Sequence, residues 1–565
     1  MHAGHDAWSR GLRSACSASD LIRSVEDGEL MLRRWWVVAG SALAAVALLG
    51  FMLNGNIRYQ VGVGRVSGYS VAETFSHRPI LFRLLSAAQA WLPEQVSRLA
   101  GPTTSWEGIV VFESGFRLIA MLAAAGAAVL LWRGLARRWG TAAWPYGMAA
   151  FAALAFSAPA TGEPDWMAAA LTVAAVGAGL LWRPAVGAPV SGVLLALAAL
   201  VKISTLPVAV AGLVVLWVLD RRRGWLAAAV ALVSGLAAVG LIWWLAPWEI
   251  SWLLDIKALQ PDPWTMAHAI EARDYLFNLA ARWPTVALLP AFFIRARRTE
   301  VWTALVGLVL TAFAFLVQGQ YFVYHSLGFV TLATLLAVAT IVRSRGALRW
   351  PLLVLMAWTF VLFLTPVEWR LAHPLRLYLI TAAWVVILTG WQWWALRRSA
   401  VRLSRARTYW WSGLLVTLAL LATQAPASAE SLTLSTAGRT SVGATAVLRS
   451  DLAAAAKVHA LIGDDTSVAY LTFGSDTYTL GNPTQCRYPS PLLLQRVHAD
   501  KKVPPADREE NLNCLANPNL RWLIWDRSWL RLKSAPEDVV TTIDTYWDCD
   551  SAKTIGRYTV CPRRP

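Results

Sequence analysis

The sequence predicts a polytopic α-helical membrane protein, with about thirteen transmembrane helices followed by an α/β domain on the outer side of the membrane. Three observations carry that expectation. Hydrophobic residues make up 57% of the 565 and charged residues only 15%, with 32 tryptophans, a balance too apolar for a soluble chain of this size. Apolar runs recur from about residue 35 to about residue 424, and at roughly 17 to 23 residues each is long enough to cross a hydrocarbon layer of about 30 Å. From about residue 428 the composition turns to Ser, Thr, Asp and Asn, with strand-like runs at 467–473 and 521–526 and a helix-like run at 450–463.

In chain order, residues 1–34 form a polar cytoplasmic segment without the apolar centre of a cleaved signal peptide. The transmembrane domain, 35–427, opens with a span at 35–53 and a long external loop at 54–106. The second half of that loop, "PILFRLLSAAQAWLPEQVSRLA", is apolar with a few polar positions and is expected to lie along the membrane surface, with Arg83 snorkelling from it. Spans follow at 107–132, 141–158, 165–182, 186–200, 203–219 and 225–247, then a second external loop at 248–283. Further spans at 284–295, 300–317, 322–342, 350–365, 376–395 and 409–424 complete the domain, the run at 284–295 being short. "APASAES" reads as a linker into the outer domain, 428–565.

The formal charge of +17 does not point to nucleic acid, because the arginines gather in short clusters between alternate spans rather than on one face. "RGLARR", "DRRRG", "RARR", "RSRG" and "RRSAVRLSRAR" mark the cytoplasmic side, as do Arg33 and Arg34 ahead of the first span. With an odd number of spans the amino terminus is cytoplasmic and the carboxyl terminus extracytoplasmic. Cys486, Cys514, Cys549 and Cys561 then lie in an oxidising compartment, where an even number predicts two disulfides of undetermined pairing. Their spacing fits no zinc site, and Cys16 reads as a plain thiol.

Ionisable side chains are costly in hydrocarbon, so those at span ends carry information. They collect on the outer side. "VAETFSHRPILFRLL" holds Glu73, His77, Arg78 and Arg83; the short turn "TGEPDW" brings Glu163 and Asp165; Lys202 interrupts two apolar runs; and "QGQYFVYH" ends in His325. "TPVEWRLAHPLR" adds Glu368, Arg370, His373 and Arg376. Solvated ion pairs, an aromatic belt at Tyr321 and Tyr324, and snorkelling of Lys202 are the structural alternatives. Carboxylates among several cations at a membrane surface suit group transfer from a lipid phosphate. A carboxylate takes the acceptor's proton, and the cations neutralise the leaving phosphate.

These features together resemble the GT-C superfamily of membrane glycosyltransferases that use polyprenyl-phosphate sugars. The resemblance rests on the acidic residue before "HRP", the interfacial helix, the second acidic turn and the outer domain after the last span. It implies that Glu73 is the catalytic base of an inverting hexosyl or pentosyl transfer, although in many members an aspartate closer to the first span fills that role. It implies that Glu163 and Asp165 orient the acceptor or bind a divalent cation, Mg or Mn. It further implies that Lys202 and His325, with His77, Arg78 and Arg370, hold the donor phosphate. The partners would be a polyprenyl-phosphate sugar donor, membrane lipid and an envelope glycan, glycolipid or protein acceptor, with no nucleic acid. The richness in Ala, Arg and Trp looks actinobacterial, which would place the chain in a bacterial cytoplasmic (inner) membrane. The competing readings are a transporter or flippase of lipid-linked saccharides, an O-antigen-type ligase or polymerase, and an anchored interaction protein working through its tail. A transporter would carry its ionisable residues near the bilayer midplane instead.

Overall fold

The structure, a computed structural model, describes residues 55–74, 78–102, 104–155, 161–259, 285–318, 322–344, 372–398, 441–489, 505–532 and 535–565, with isolated positions between them. The spans expected at 35–53 and 409–424, and most of that at 350–365, lie outside the described residues. The chain runs through α1 (Gly55–Val66), α2 (Ile80–Ala100), α3 (Trp106–Trp139), α4 (Trp144–Ala155), α5 (Pro164–Leu181), α6 (Pro184–Leu200), α7 (Leu206–Leu219), α8 (Arg221–Leu245) and α9 (Trp248–Leu259). It continues with α10 (Leu289–Arg295), α11 (Arg298–Leu316), α12 (Leu327–Ser344) and α13 (Pro374–Arg398).

Six helical stretches among the described residues are long and apolar enough to cross a membrane: Trp106–Trp139, Pro164–Leu181, Arg221–Leu245, Arg298–Leu316, Tyr324–Val342 and Leu375–Arg397. Helices α6 and α7 are apolar but shorter. At 34 residues α3 exceeds its expected span, and its length of about 51 Å carries Arg137 and Arg138 beyond the hydrocarbon. The short run near 290 appears as a one-turn helix at 286–288 leading into the seven residues of α10.

Local chemistry sets the helix ends. The Ser105 hydroxyl accepts from Gly108 N at 3.1 Å to start α3, and Asp220 accepts from Arg223 N at 3.1 Å to start α8. Pro164, Pro184 and Pro207 occupy first turns, where a missing N–H costs nothing. Tertiary position then decides which face is covered. Helix α5 is the centre of the bundle, with 83% of its apolar window buried against neighbours that include α3, α6 and α7. A Cβ at Gly177 would lie 2.3 Å from Leu131 N, so only glycine admits the close approach of α3 and α5. Helix α8, 6% buried over its window, turns Trp225, Leu232, Leu236, Trp243 and Trp244 outward, where lipid would cover them. Helix α2 exposes Leu84, Trp91, Leu92, Val96 and Leu99 and buries Phe82, Arg83, Ala90 and Ser97, the two-sidedness expected of a helix lying at an interface.

Beyond the helices, α14 (Ser441–Ile462), β1 (Val468–Leu471), α15 (Asp476–Leu480), α16 (Pro505–Ala516), β2 (Trp522–Asp526), α17 (Glu537–Tyr546), β3 (Lys553–Ile555) and β4 (Tyr558–Pro562) build a helix-flanked sheet of order β1-β2-β4-β3. The two strand-like runs of the sequence are the parallel pair β1 and β2, in register from Val468↔Trp522 to Leu471↔Trp525, and β4 pairs antiparallel with both β2 and β3. Cys486 is bonded to Cys514 and Cys549 to Cys561, with Cα separations of 5.5 and 4.8 Å. The sheet region packs directly on the first helices. Thr484 N donates to Val66 O at 2.8 Å, and Tyr478 meets Phe112 with ring centroids 5.4 Å apart.

Candidate active site

Helix polarity brings the ionisable residues to one end of the bundle. Glu163 is the N-cap of α5 and Asp165 lies in its first turn; Lys202 follows the end of α6; Gln318 follows α11; and His325 sits in the short turn leading into α12. At the opposite end, Arg223 donates to the carbonyls of Gly179, Leu180 and Trp182 at 2.6 to 3.0 Å, so the arginine cluster 221–223 gathers where α5 finishes. The turn before α5 depends on Gly162. Its φ of +82° is a left-handed conformation, and a Cβ there would lie 2.5 Å from the Phe116 ring. Carboxylates at the start of α5 also face the positive end of its dipole.

Two ion pairs form the heart of the site. Arg78 Nη2 lies 3.2 Å from Glu163 Oε2, and Lys202 Nζ lies 3.3 Å from Asp165 Oδ2. Lys202 also contacts the Gln318 side-chain carbonyl and lies 3.3 Å from His325 Nε2, while Gln318 donates its amide to Asp165 Oδ1 at 3.3 Å. Tyr324 stands edge-on to His325, ring centroids 4.4 Å apart, with its ring face 6.0 Å from Lys202 Nζ. Glu163 and Asp165 are 3% and 1% exposed, whereas the side chains of Arg78 and Lys202 keep 12% and 16%. Paired charges resolve the cost of burial. The partly accessible members of each pair are the cations, so an arriving anion meets positive charge first.

The rim of the site is held by a residue pair that the sequence reading missed. Arg83 does not snorkel: it is 5% exposed, lies 2.9 Å from Glu249 Oε2, and donates to the carbonyls of Val71, Ala72 and Arg78 at 3.2, 2.9 and 2.7 Å. Glu249, at the start of α9, also accepts from Ile80 N at 2.7 Å and so satisfies an open N–H of α2. A long side chain on a surface helix gave no hint of this, because the partner lies 166 residues away. Also missed was Glu113 in α3, which lies 2.9 Å from Arg58 and 3.5 Å from Arg117. Its signal was present as an acidic residue inside an apolar run.

Arg78, Glu163, Asp165, Lys202 and His325 are therefore brought together. Glu73 stands apart from those pairs. Its Oε2 accepts from Ser70 N and from the Ser70 hydroxyl, at 3.2 and 2.6 Å, within its own exposed turn. The Ser70 hydroxyl and then the Ser70 N–H hold this carboxyl below the usual range, and the positive charge of Arg487 lowers it further, so it is ionised at neutral pH. His77 and Arg370 lie outside the described residues, as does Glu368. His373 is described and bonds only locally, to Trp369 O at 3.1 Å.

Among the described residues the two carboxylates of the turn, Glu163 and Asp165, are paired with cations, and no group of three or more His, Cys, Asp or Glu there could hold a metal. The site can instead offer an ammonium, a guanidinium and an imidazole to a phosphate, with the carboxylates behind them.

No protein-family model matches the sequence, and neither does any curated protein. Two solved structures are similar to it across nearly the whole chain. One is ArnT from Cupriavidus metallidurans in the apo state, at 16% identity and a TM-score of 0.53, covering 94% of this chain and 98% of that one. The other is the same protein bound to undecaprenyl phosphate, at 16% identity and a TM-score of 0.52, covering 93% and 97%. At that identity the likeness is one of fold: the chain has the fold seen in ArnT.

Proposed function

We propose that this chain is a glycosyltransferase of the bacterial cytoplasmic membrane. It moves a sugar from a polyprenyl-phosphate donor to an envelope glycan, glycolipid or protein on the outer face. The observation that carries the reading is the convergence of Arg78, Lys202 and His325 on the Glu163–Asp165 turn at one end of the helices. The fold shared with a protein solved with undecaprenyl phosphate supports the choice of donor.

In this reading the donor's prenyl tail lies among the helices, and its phosphate is met by Arg78, Lys202 and His325. Glu163 and Asp165 orient those cations; they also keep the cluster near neutrality before the donor binds. Glu73 is the base. Its carboxylate is ionised and exposed in the outer loop, whereas Glu163 and Asp165 are already committed to cations. An acceptor hydroxyl gives its proton to Glu73 as its oxygen bonds to the anomeric carbon. The bond from that carbon to the phosphate oxygen breaks, and polyprenyl phosphate leaves with the electron pair, its charge stabilised by the three cations. A single displacement with one base inverts the anomeric centre. The amino terminus is cytoplasmic and the sheet region extracytoplasmic, where its two disulfides are stable.

The test supplies purified protein with a panel of radiolabelled polyprenyl-phosphate sugars and envelope acceptors. Glu73→Gln is expected to lower kcat by roughly three orders of magnitude, the scale of a lost general base. Near-wild-type turnover in Glu73→Gln, with loss in Glu163→Gln or Asp165→Asn, would move the base to the 163–165 turn. Saccharide crossing a proteoliposome membrane with no donor consumed would replace the transferase with a flippase.

A further inference from the structure

A second cluster outside the charged network joins the sheet region to the rim of the site. After α15 the chain returns along α1, where Gly68 N donates to Thr484 O at 3.3 Å, and Cys486 is bonded to Cys514 in α16. The next two residues turn toward the membrane-side helices. The guanidinium carbon of Arg487 lies 5.2 Å from the Tyr69 ring centroid, 6.0 Å from Trp248 and 5.9 Å from Trp252, and its Nε is 3.5 Å from Glu510. Tyr488 is buried and meets Trp252 edge-on at 5.4 Å.

Both walls gripped in this way carry site residues. Trp248 and Trp252 flank Glu249 on α9, the residue that holds Ile80 N and Arg83. Tyr69 precedes Ser70, the partner of Glu73, and the carbonyls of Val71 and Ala72 in the same turn are fixed by Arg83. A planar guanidinium stacked among three rings gains cation–π attraction and dispersion that an ammonium matches only in part. The Cys486–Cys514 disulfide restrains the backbone one residue before that guanidinium.

We propose that Arg487 and Tyr488 are positioning residues: a disulfide-braced clasp through which the sheet region holds the Glu73 turn and α9 in register with the phosphate-facing cations. The catalytic consequence rests on the glycosyltransferase reading; the mechanical one does not. Lys202 and His325 sit on other helix ends, whereas Arg78 is reached from the clasp through Glu249 and Arg83, so loss of the clasp misplaces the Glu73 turn and the Arg78 edge of the site together.

The experiment uses full-length protein in lipid nanodiscs and measures hydrogen exchange at 69–74 and 246–254, with 468–471 and 522–526 as internal references. Arg487→Ala and Tyr488→Ala are each expected to speed exchange at 69–74 and 246–254 about tenfold without changing the references. In the transfer assay kcat/KM falls about tenfold, and Arg487→Lys recovers only part of that loss. Unchanged exchange in both alanine variants overturns the proposal, as does equal acceleration in the reference strands or full recovery by Arg487→Lys. Wild-type protein inactive on every donor would sink the transferase reading, while the exchange result still decides the clasp.

Discussion

Two buried charge clusters stand at opposite ends of this molecule's design, one at the helix ends and one in the sheet region. At the helix ends, Glu163 and Asp165 face Arg78 and Lys202 one to one, with His325 beside them. In the sheet region, Asp451, Asp476 and Asp526 gather around Arg557, which contacts Asp476 directly and lies 3.0 Å from Asp451 and 3.6 Å from Asp526, while the Tyr558 hydroxyl donates to Asp476 at 3.3 Å. Burial pushes the Asp476 carboxyl up to about 7, Arg557 pulls it back, and the neighbouring Asp451 and Asp526 push it further up. An excess of acid raises the affinity of its buried carboxyl for a proton. A balanced set whose cations are the accessible members gains from an incoming anion. Charge burial alone thus does not mark a site; the balance of charge within the cluster does, since the cation is the more accessible member in both.

Breaking the helix-end cluster is expected to give the largest effect. Lys202→Ala removes the ammonium from the proposed donor phosphate and leaves Asp165 buried without it, and kcat/KM measured on protein of unchanged melting temperature should fall about a hundredfold or more. In the sheet cluster the corresponding change, Arg557→Ala, should act on stability instead. With its side chain 36% exposed, the loss is discounted to about 2 kcal/mol, read as a lowered melting temperature with turnover preserved at moderate temperature. A large loss of turnover without a change in melting would erase the contrast between the two clusters.

The smallest effect sharpens the same comparison through pH. Below the ordinary value of 3.8 the Asp476 carboxyl is protonated whether folded or not; between there and about 7 only the folded chain keeps the proton. Stability from this group is therefore full at low pH and is lost as pH rises through about 7, then level above. Asp476→Asn should flatten that dependence by an amount of order 1 kcal/mol, seen as a smaller change in melting temperature between pH 5 and 8. A wild-type melting temperature that rises over that range would give Asp476 the opposite protonation state.

Much of the bundle was legible in the sequence because its signals are local. The spans expected from about 107, 165 and 225 fall on α3, α5 and α8, because apolar length is a local signal. The gathering of Glu163, Asp165, Lys202 and His325 followed from counting spans. Arg83 was misread because an arginine on a two-sided helix looks the same whether it reaches for water or for Glu249. Glu249 itself was hidden among the mixed residues of 248–283, where the sequence led us to expect a loop and the structure has α9.

By itself, then, the sequence determined that the chain is a set of apolar helices with ionisable residues gathered near their ends, since that follows from hydrophobic length and the cost of charge in hydrocarbon. Only the tertiary structure decided the partners: Arg78 with Glu163 across 85 residues, Arg83 with Glu249 across 166, Cys486 with Cys514, and Arg487 among Tyr69, Trp248 and Trp252. The physical reason is that a helix face turned to lipid and one turned to another helix are equally apolar, so periodicity does not encode which helices are neighbours. Side-by-side packing settles that order, and the ion pairs follow from it.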